Sequence, residues 1–218
     1  MDAHPYAPTD LSLPGFVPNL LSANTILAVF AVATIIVVSL SWILPGLFSR
    51  YTKMERVLIC WWVFTGLTHI IVEGYFVFSP EFFKDKTGCY LAEVWKEYSK
   101  GDSRYAARDA ATVALEGITV VLEGPASLLA AYAIATHKPY NYVLQLAVCL
   151  GQLYGCVMYY TTAILEGDKF ASSPYYYYAY YIGANASWIV IPALISIRSW
   201  KRICQACKGD GRNKRKSH

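Results

Sequence analysis

Five stretches of this chain, near 25–48, 55–80, 111–136, 140–165 and 174–200, each run for more than twenty residues with few charges. At 1.5 Å per residue such a stretch crosses about 30 Å of hydrocarbon. In hydrocarbon every backbone N–H and C=O must find its partner inside the protein, which restricts these stretches to helices. Composition agrees, with 56% hydrophobic and 16% charged residues and a mean hydropathy of +0.33, a balance that soluble domains seldom show. The expected architecture is an all-α integral membrane protein, a five-transmembrane-helix bundle forming one domain over 1–218. Residues 201–218 are a basic tail. The segment ahead of the first span carries Asp2 and Asp10 but no Lys or Arg. It lacks the basic region of a cleavable leader, so the first span is expected to be retained as an anchor.

Orientation follows from the flanking cations. Arg50, Lys53, Arg56, Lys138 and the run from Arg198 to Lys216 place twelve Lys and Arg on one side, against seven on the other. Six of those seven lie between the second and third spans, where six acids match them. The positive-inside rule then sets the C-terminus in the cytosol and the N-terminus in the lumen or outside. The six cysteines do not form a disulfide framework: Cys60, Cys149 and Cys156 fall within spans, and Cys204 and Cys207 form a lone CxxC beside the membrane.

Within this apolar frame the ionisable residues carry the information. His69 and Glu73 sit at i and i+4 in the second span and meet on one helix face. A charge at that depth costs several kcal/mol unless paired or facing a polar cavity, and its default reading is functional; a structural His–Glu bond between helices is the alternative. The third span adds Glu116 and, one heptad on, Glu123. Glu73 and Glu116 both lie roughly 8 to 10 Å from the same end of their spans and can face each other. Thr119 sits one turn from Glu116, and Gly124-Pro125 is expected to kink the helix beside the acids. The fourth span carries Gly151-Gln-Leu-Tyr-Gly155, a GxxxG motif open to close packing within the bundle or to a homodimer. Gln145, Gln152 and Tyr154 add polar groups to its interior face. The fifth span opens with Tyr175-Tyr-Tyr-Tyr-Ala-Tyr-Tyr181, an interfacial aromatic belt, and then places Asn185 and Trp188 near the midplane on one face. The connector around 91–105 mixes charges with Trp95, Tyr98 and Tyr105, as either a cap over a cavity or a solvated link.

His69, Glu73, Glu116, Thr119, Asn185 and Trp188 can thus share one membrane-embedded ligand cavity, with Glu123 left outside the set. The sequence has no Gly-rich phosphate loop, metal-ligand cluster or dinucleotide turn, which leaves proton chemistry. Closely placed acids in low dielectric cannot all be ionised, so one serves as acid while a neighbour serves as base. With membrane-embedded walls the substrate should be a lipid, and Trp188 beside the acids suits a cation made by protonating an alkene. A non-catalytic binding protein and a proton-coupled transporter are the other classes open to such a site. Five unpaired spans with no visible internal repeat argue against the transporter.

The runs His69-Ile-Ile-Val-Glu73-Gly-Tyr-Phe-Val, Trp95-Lys-Glu-Tyr-Ser-Lys-Gly-Asp-Ser-Arg-Tyr105, Glu116-Gly-Ile-Thr119, Gln152-Leu-Tyr-Gly and Asn185-Ala-Ser-Trp188 resemble the emopamil-binding protein family of 3β-hydroxysteroid Δ8,Δ7-isomerases. The resemblance runs from about His4 to Trp200, and the opening His4-Pro-Tyr and Tyr-rich fifth span look most like plant members. It implies an endoplasmic-reticulum enzyme with no redox cofactor or metal. That enzyme shifts a Δ8 sterol's ring-B double bond to C7=C8, by protonation at C9, a C8 carbocation and proton loss from C7. It implies catalytic roles for His69, Glu73 and Glu116, and substrate-binding or cation-stabilising roles for Thr119, Asn185 and Trp188. Lipophilic amines should inhibit by imitating the cation, and no nucleic-acid partner is implied. Glu123 departs from the apolar or aromatic residue expected there. The terminal Lys214-Arg-Lys216-Ser-His218 resembles a lysine-based retrieval signal.

Overall fold

The computed structural model describes residues 4–47 and 51–216, with side chains to residue 208. Arg50 and the side chains of the terminal basic run lie outside the described residues. Every regular element among the described residues is helical. Five helices are long and apolar enough to cross a membrane: α1 (Ala23–Gly46), α2 (Lys53–Phe78), α5 (Ala110–Ala135), α6 (Asn141–Leu165) and α7 (Pro174–Lys208). Two short helices, α3 (Tyr90–Tyr98) and α4 (Arg104–Ala107), lie in the connector between α2 and α5.

Local chemistry sets where the spans begin. Ser22 caps α1 by accepting from the Thr25 amide at 3.1 Å. Thr52 and Glu55 form a reciprocal capping box at the start of α2. Asp109 accepts from the Thr112 amide and hydroxyl ahead of α5. Each cap satisfies orphan N–H groups that would otherwise be stranded near the membrane surface.

Three of the spans are not uniform α-helix. Thr68–Glu73 in α2, Thr119–Glu123 in α5 and Tyr177–Ala184 in α7 are π turns. A π turn bonds i to i+5 and fits an extra residue into the helix, which widens it locally. The irregularity expected at Gly124-Pro125 is therefore found one turn earlier.

The spans α2 and α5 pack closely where glycines face. A Cβ on Gly66 would meet Leu128 at 2.7 Å and the Gly124 carbonyl at 3.0 Å, and one on Gly124 would meet Ile70 at 2.8 Å. The half of the bundle nearer Lys53 and Lys138 is closed by an apolar core that includes Leu58, Trp62, Ala130, Ile134, Val148 and Ile195. Gln145 accepts there from the Trp62 indole at 3.3 Å. Tyr154, expected inside, faces outward with 66% of its surface exposed. Helix α1 packs along α2 and turns Val32, Ile35, Ile36 and Leu40 outward, as a helix solvated by acyl chains would.

The opposite end is a folded plug. Its buried aromatic core joins Tyr6, Phe16, Phe76, Phe82, Trp95 and Tyr105. Buried charges stitch it together: Lys96 Nζ donates to Glu93 Oε1 at 3.1 Å, and Arg104 clasps Asp102 through Nε and Nη2 at 3.0 and 2.7 Å. The Glu93 carboxylate also accepts from the Leu20 and Leu21 amides at 2.6 and 2.9 Å, tying the N-terminal segment down. The connector thus caps the bundle and is no solvated link.

Candidate functional site

Between plug and apolar core lies a cavity of about 380 Å³, walled by α1, α2, α5, α6, α7 and α3. His69, Glu73, Glu116, Thr119, Asn185 and Trp188 all line it. The three π turns converge here: two hold His69, Glu73 and Thr119, and the third ends immediately before Asn185. Wider turns of this kind recur where side chains must be aimed at a ligand.

The polar wall is continuous. His69 Nδ1 and Glu73 Oε2 are 2.6 Å apart, with both side chains largely buried. Thr119 Oγ1 lies 2.7 Å from the same Glu73 oxygen, 2.8 Å from the Glu116 carbonyl and 3.5 Å from Glu116 Oε2. The other oxygen of Glu116 accepts a short hydrogen bond from the Tyr105 hydroxyl. Two carboxyls and an imidazole are thereby held edge to edge through one threonine.

Tyr105 was not among the site residues expected from sequence. Its ring stacks on Trp95 at 4.9 Å and meets Tyr98 edge-on at 5.1 Å. Trp95 in turn donates to the Val72 carbonyl at 2.8 Å. Burial, and then the adjacent Glu116 carboxyl, push the Tyr105 phenol well above its ordinary range, so it stays a proton donor toward Glu116.

An aromatic wall adjoins the polar one at His69. Trp188 lies 5.2 Å from the His69 ring, 5.3 Å from Trp61 and 6.2 Å from Phe64, stacked on the last at 7°. Such faces present negative quadrupole to a cation. The Asn185 amide donates to the Tyr98 hydroxyl at 3.0 Å and to the Tyr181 carbonyl at 2.8 Å. It joins α7 to the plug. The tyrosine run likewise divides, with Tyr175 and Tyr178 exposed while Tyr176 and Tyr180 donate to Glu97.

Glu123 does not line the cavity. Its carboxyl lies against the bare Cα of Gly151, where any Cβ would collide with it, and its Oε2 is buried without a partner among the described residues. Gly155 faces the cavity and a Cβ there would touch nothing. Both glycines of the motif thus face the bundle interior, Gly151 against Glu123 and Gly155 toward the cavity. Gln152, between the two glycines, places its amide nitrogen 3.4 Å from His69 Nε2.

A family model described as EXPERA (EXPanded EBP superfamily) matches residues 90–199. The chain is 62% identical over 204 residues, covering 94% of it and 91% of the relative, to an Arabidopsis thaliana protein named probable 3-beta-hydroxysteroid-Delta(8),Delta(7)-isomerase. It is 59% identical over 208 residues, 95% of each chain, to an Oryza sativa protein of the same name. It is also 52% identical over 217 residues, 99% of each chain, to an Ailanthus altissima protein named protoglabretal synthase.

Proposed function

This chain belongs to the EXPERA (expanded EBP) superfamily, and from that premise we propose that it is a sterol Δ8,Δ7-isomerase. The observation that carries the reading is the run from His69 through Glu73 and Thr119 to Glu116, with Trp188 against the His69 ring in the same cavity. Higher identity to the two isomerase-named relatives than to the protoglabretal synthase favours the sterol substrate.

In this reading Glu116, whose carboxyl meets the Tyr105 and Thr119 hydroxyls and lies beside the Glu73 carboxyl, delivers a proton to C9 of the Δ8 sterol. The π electrons of C8=C9 form the new C9–H bond and leave a cation at C8. Trp188 faces that cation. Glu73, paired with His69, takes the C7 proton, and the C7–H electrons become the C7=C8 bond. The double bond moves with no net change in protons or electrons, so the chemistry asks only for an acid, a base and an electron-rich wall. Thr119 fixes the two carboxyls relative to each other, and Asn185 fixes Tyr98 and the plug above them.

The same wall supports binding of lipophilic amines, whose ammonium resembles the C8 cation in charge and place. A protonated amine should therefore bind at least tenfold more tightly than its neutral carbon isostere; equal affinity would remove the cation site. The Lys and Arg asymmetry supports a multi-pass protein with its plug in the lumen and its C-terminus in the cytosol, and the resemblance to the emopamil-binding protein family supports the endoplasmic reticulum. Protease protection of a C-terminal tag in sealed microsomes would contradict that orientation.

The reading is tested by expressing the chain in membranes without endogenous isomerase and supplying a Δ8 sterol. A Δ7 product is expected, and Glu116→Gln should lower its formation by more than about a hundredfold while amine binding persists. Binding without turnover in the unaltered protein would make it a sterol- or amine-binding protein of the same fold.

A further inference from the structure

His69 must be matched in two protonation states if it shares a proton with Glu73 during turnover. Its Nδ1 faces the Glu73 carboxylate, so in the neutral ring the proton sits on Nδ1 and Nε2 is a bare acceptor. When the ring gains a proton, Nε2 becomes a donor and needs an acceptor, because an unmatched buried donor costs about 1–3 kcal/mol. Few groups surround this ring: Glu73 on its own helix, Glu123 from α5, Gln152 from α6 and Trp188 from α7. Trp188 offers a ring face, and the Glu123 carboxyl lies against Gly151.

Gln152 fits the need. It is 5% exposed, its amide nitrogen stands 3.4 Å from Nε2, and its amide oxygen is buried with no partner among the described residues. A primary amide carries donor and acceptor on ends of nearly equal size, and turning it end for end exchanges them within the same volume. We propose that Gln152 is a positioning residue for His69, donating through its nitrogen to the neutral ring and accepting through its oxygen from the imidazolium. The unpartnered oxygen is then the half of the amide that the second state uses. This role rests on the isomerase reading, since only proton transfer requires His69 to alternate.

Two substitutions and one spectrum test it. Gln152→Met keeps the length and removes both polar ends. Its kcat should fall by about a hundredfold, with KM for the sterol within about threefold. Gln152→Glu can donate when protonated and accept when ionised, so it should recover kcat to within about tenfold of the parent. Nitrogen-15 labelling of histidine gives four residues to resolve, with His69 assigned by His69→Gln. The parent should show a bare Nε2 and a protonated Nδ1, and Gln152→Met should move the Nε2 resonance downfield as its donor is lost. Full kcat in the Met variant, or an Nε2 resonance that does not move, overturns the proposal. If the Met variant does not fold, a Glu variant that binds amine yet has lost more than a hundredfold in kcat overturns it. If the parent shows no turnover the isomerase reading fails, and the Nε2 resonance alone then decides the contact.

Discussion

At the scale of single residues, the cavity wall depends on who touches whom. Sequence spacing made His69, Glu73 and Glu116 legible, because ionisable groups in apolar spans have few harmless places to be. It did not reveal Tyr105, which reaches Glu116 from a connector eleven residues earlier where no periodicity relates the two. It placed Asn185 at the cavity but did not reveal that its amide is taken by Tyr98 and Tyr181. Tyr105→Phe should leave the fold intact and remove one donor from Glu116, lowering kcat by about ten- to a hundredfold; unchanged kcat would show that Glu116 needs no such partner. Gly151→Ala places a methyl where the Glu123 carboxyl lies. It should cost about 1–3 kcal/mol in stability, and Glu123→Ala in the same chain should recover most of that. Thermal melts of the single and double variants beside the parent in detergent would show whether the two changes compensate.

At the scale of elements, the five spans were readable and the π turns were not. Hydrophobicity sets length and a Ser, Thr or Asp ahead of an apolar run sets a start, as at Ser22, Thr52 and Asp109. A π turn differs from an α turn by one inserted residue, and in a span that is apolar all round that insertion leaves no periodic trace. The Gly66–Gly124 contact was hidden for a related reason, since its glycines lie on different helices and make no motif within either. Deleting Val121, whose side chain faces outward, should convert Thr119–Glu123 to regular α-helix and keep the register on both sides. Such a chain should still insert and fold, yet lose more than about a hundredfold in turnover as Thr119 leaves Glu73. Retained activity would show that the π turn in α5 is incidental.

At the scale of the molecule, a plug rich in buried ion pairs seals one end of a bundle whose other end is an apolar core. Burial tends to raise the Glu93 carboxyl, but the Leu20 and Leu21 amides and Lys96 outweigh it and hold it below its ordinary 4.5. A depressed carboxyl contributes stability that is complete above 4.5 and is lost as pH falls through the lowered value. Acid should therefore loosen the plug first, and Glu93→Gln should be less stable than the parent at neutral pH but less sensitive to acid; parallel melting curves against pH would contradict this. Lys96→Met strands a buried carboxylate and should cost about 3–5 kcal/mol. Plug and core together enclose the cavity, and in the proposed mechanism the proton added at C9 comes from the protein's exchangeable acid. The direct measurement is turnover of a Δ8 sterol in D₂O by membranes carrying this chain and no other isomerase, read by mass spectrometry. A Δ7 sterol with one deuteron at C9 is predicted; a Δ7 sterol without deuterium, or unchanged Δ8 sterol bound to folded protein, would contradict it.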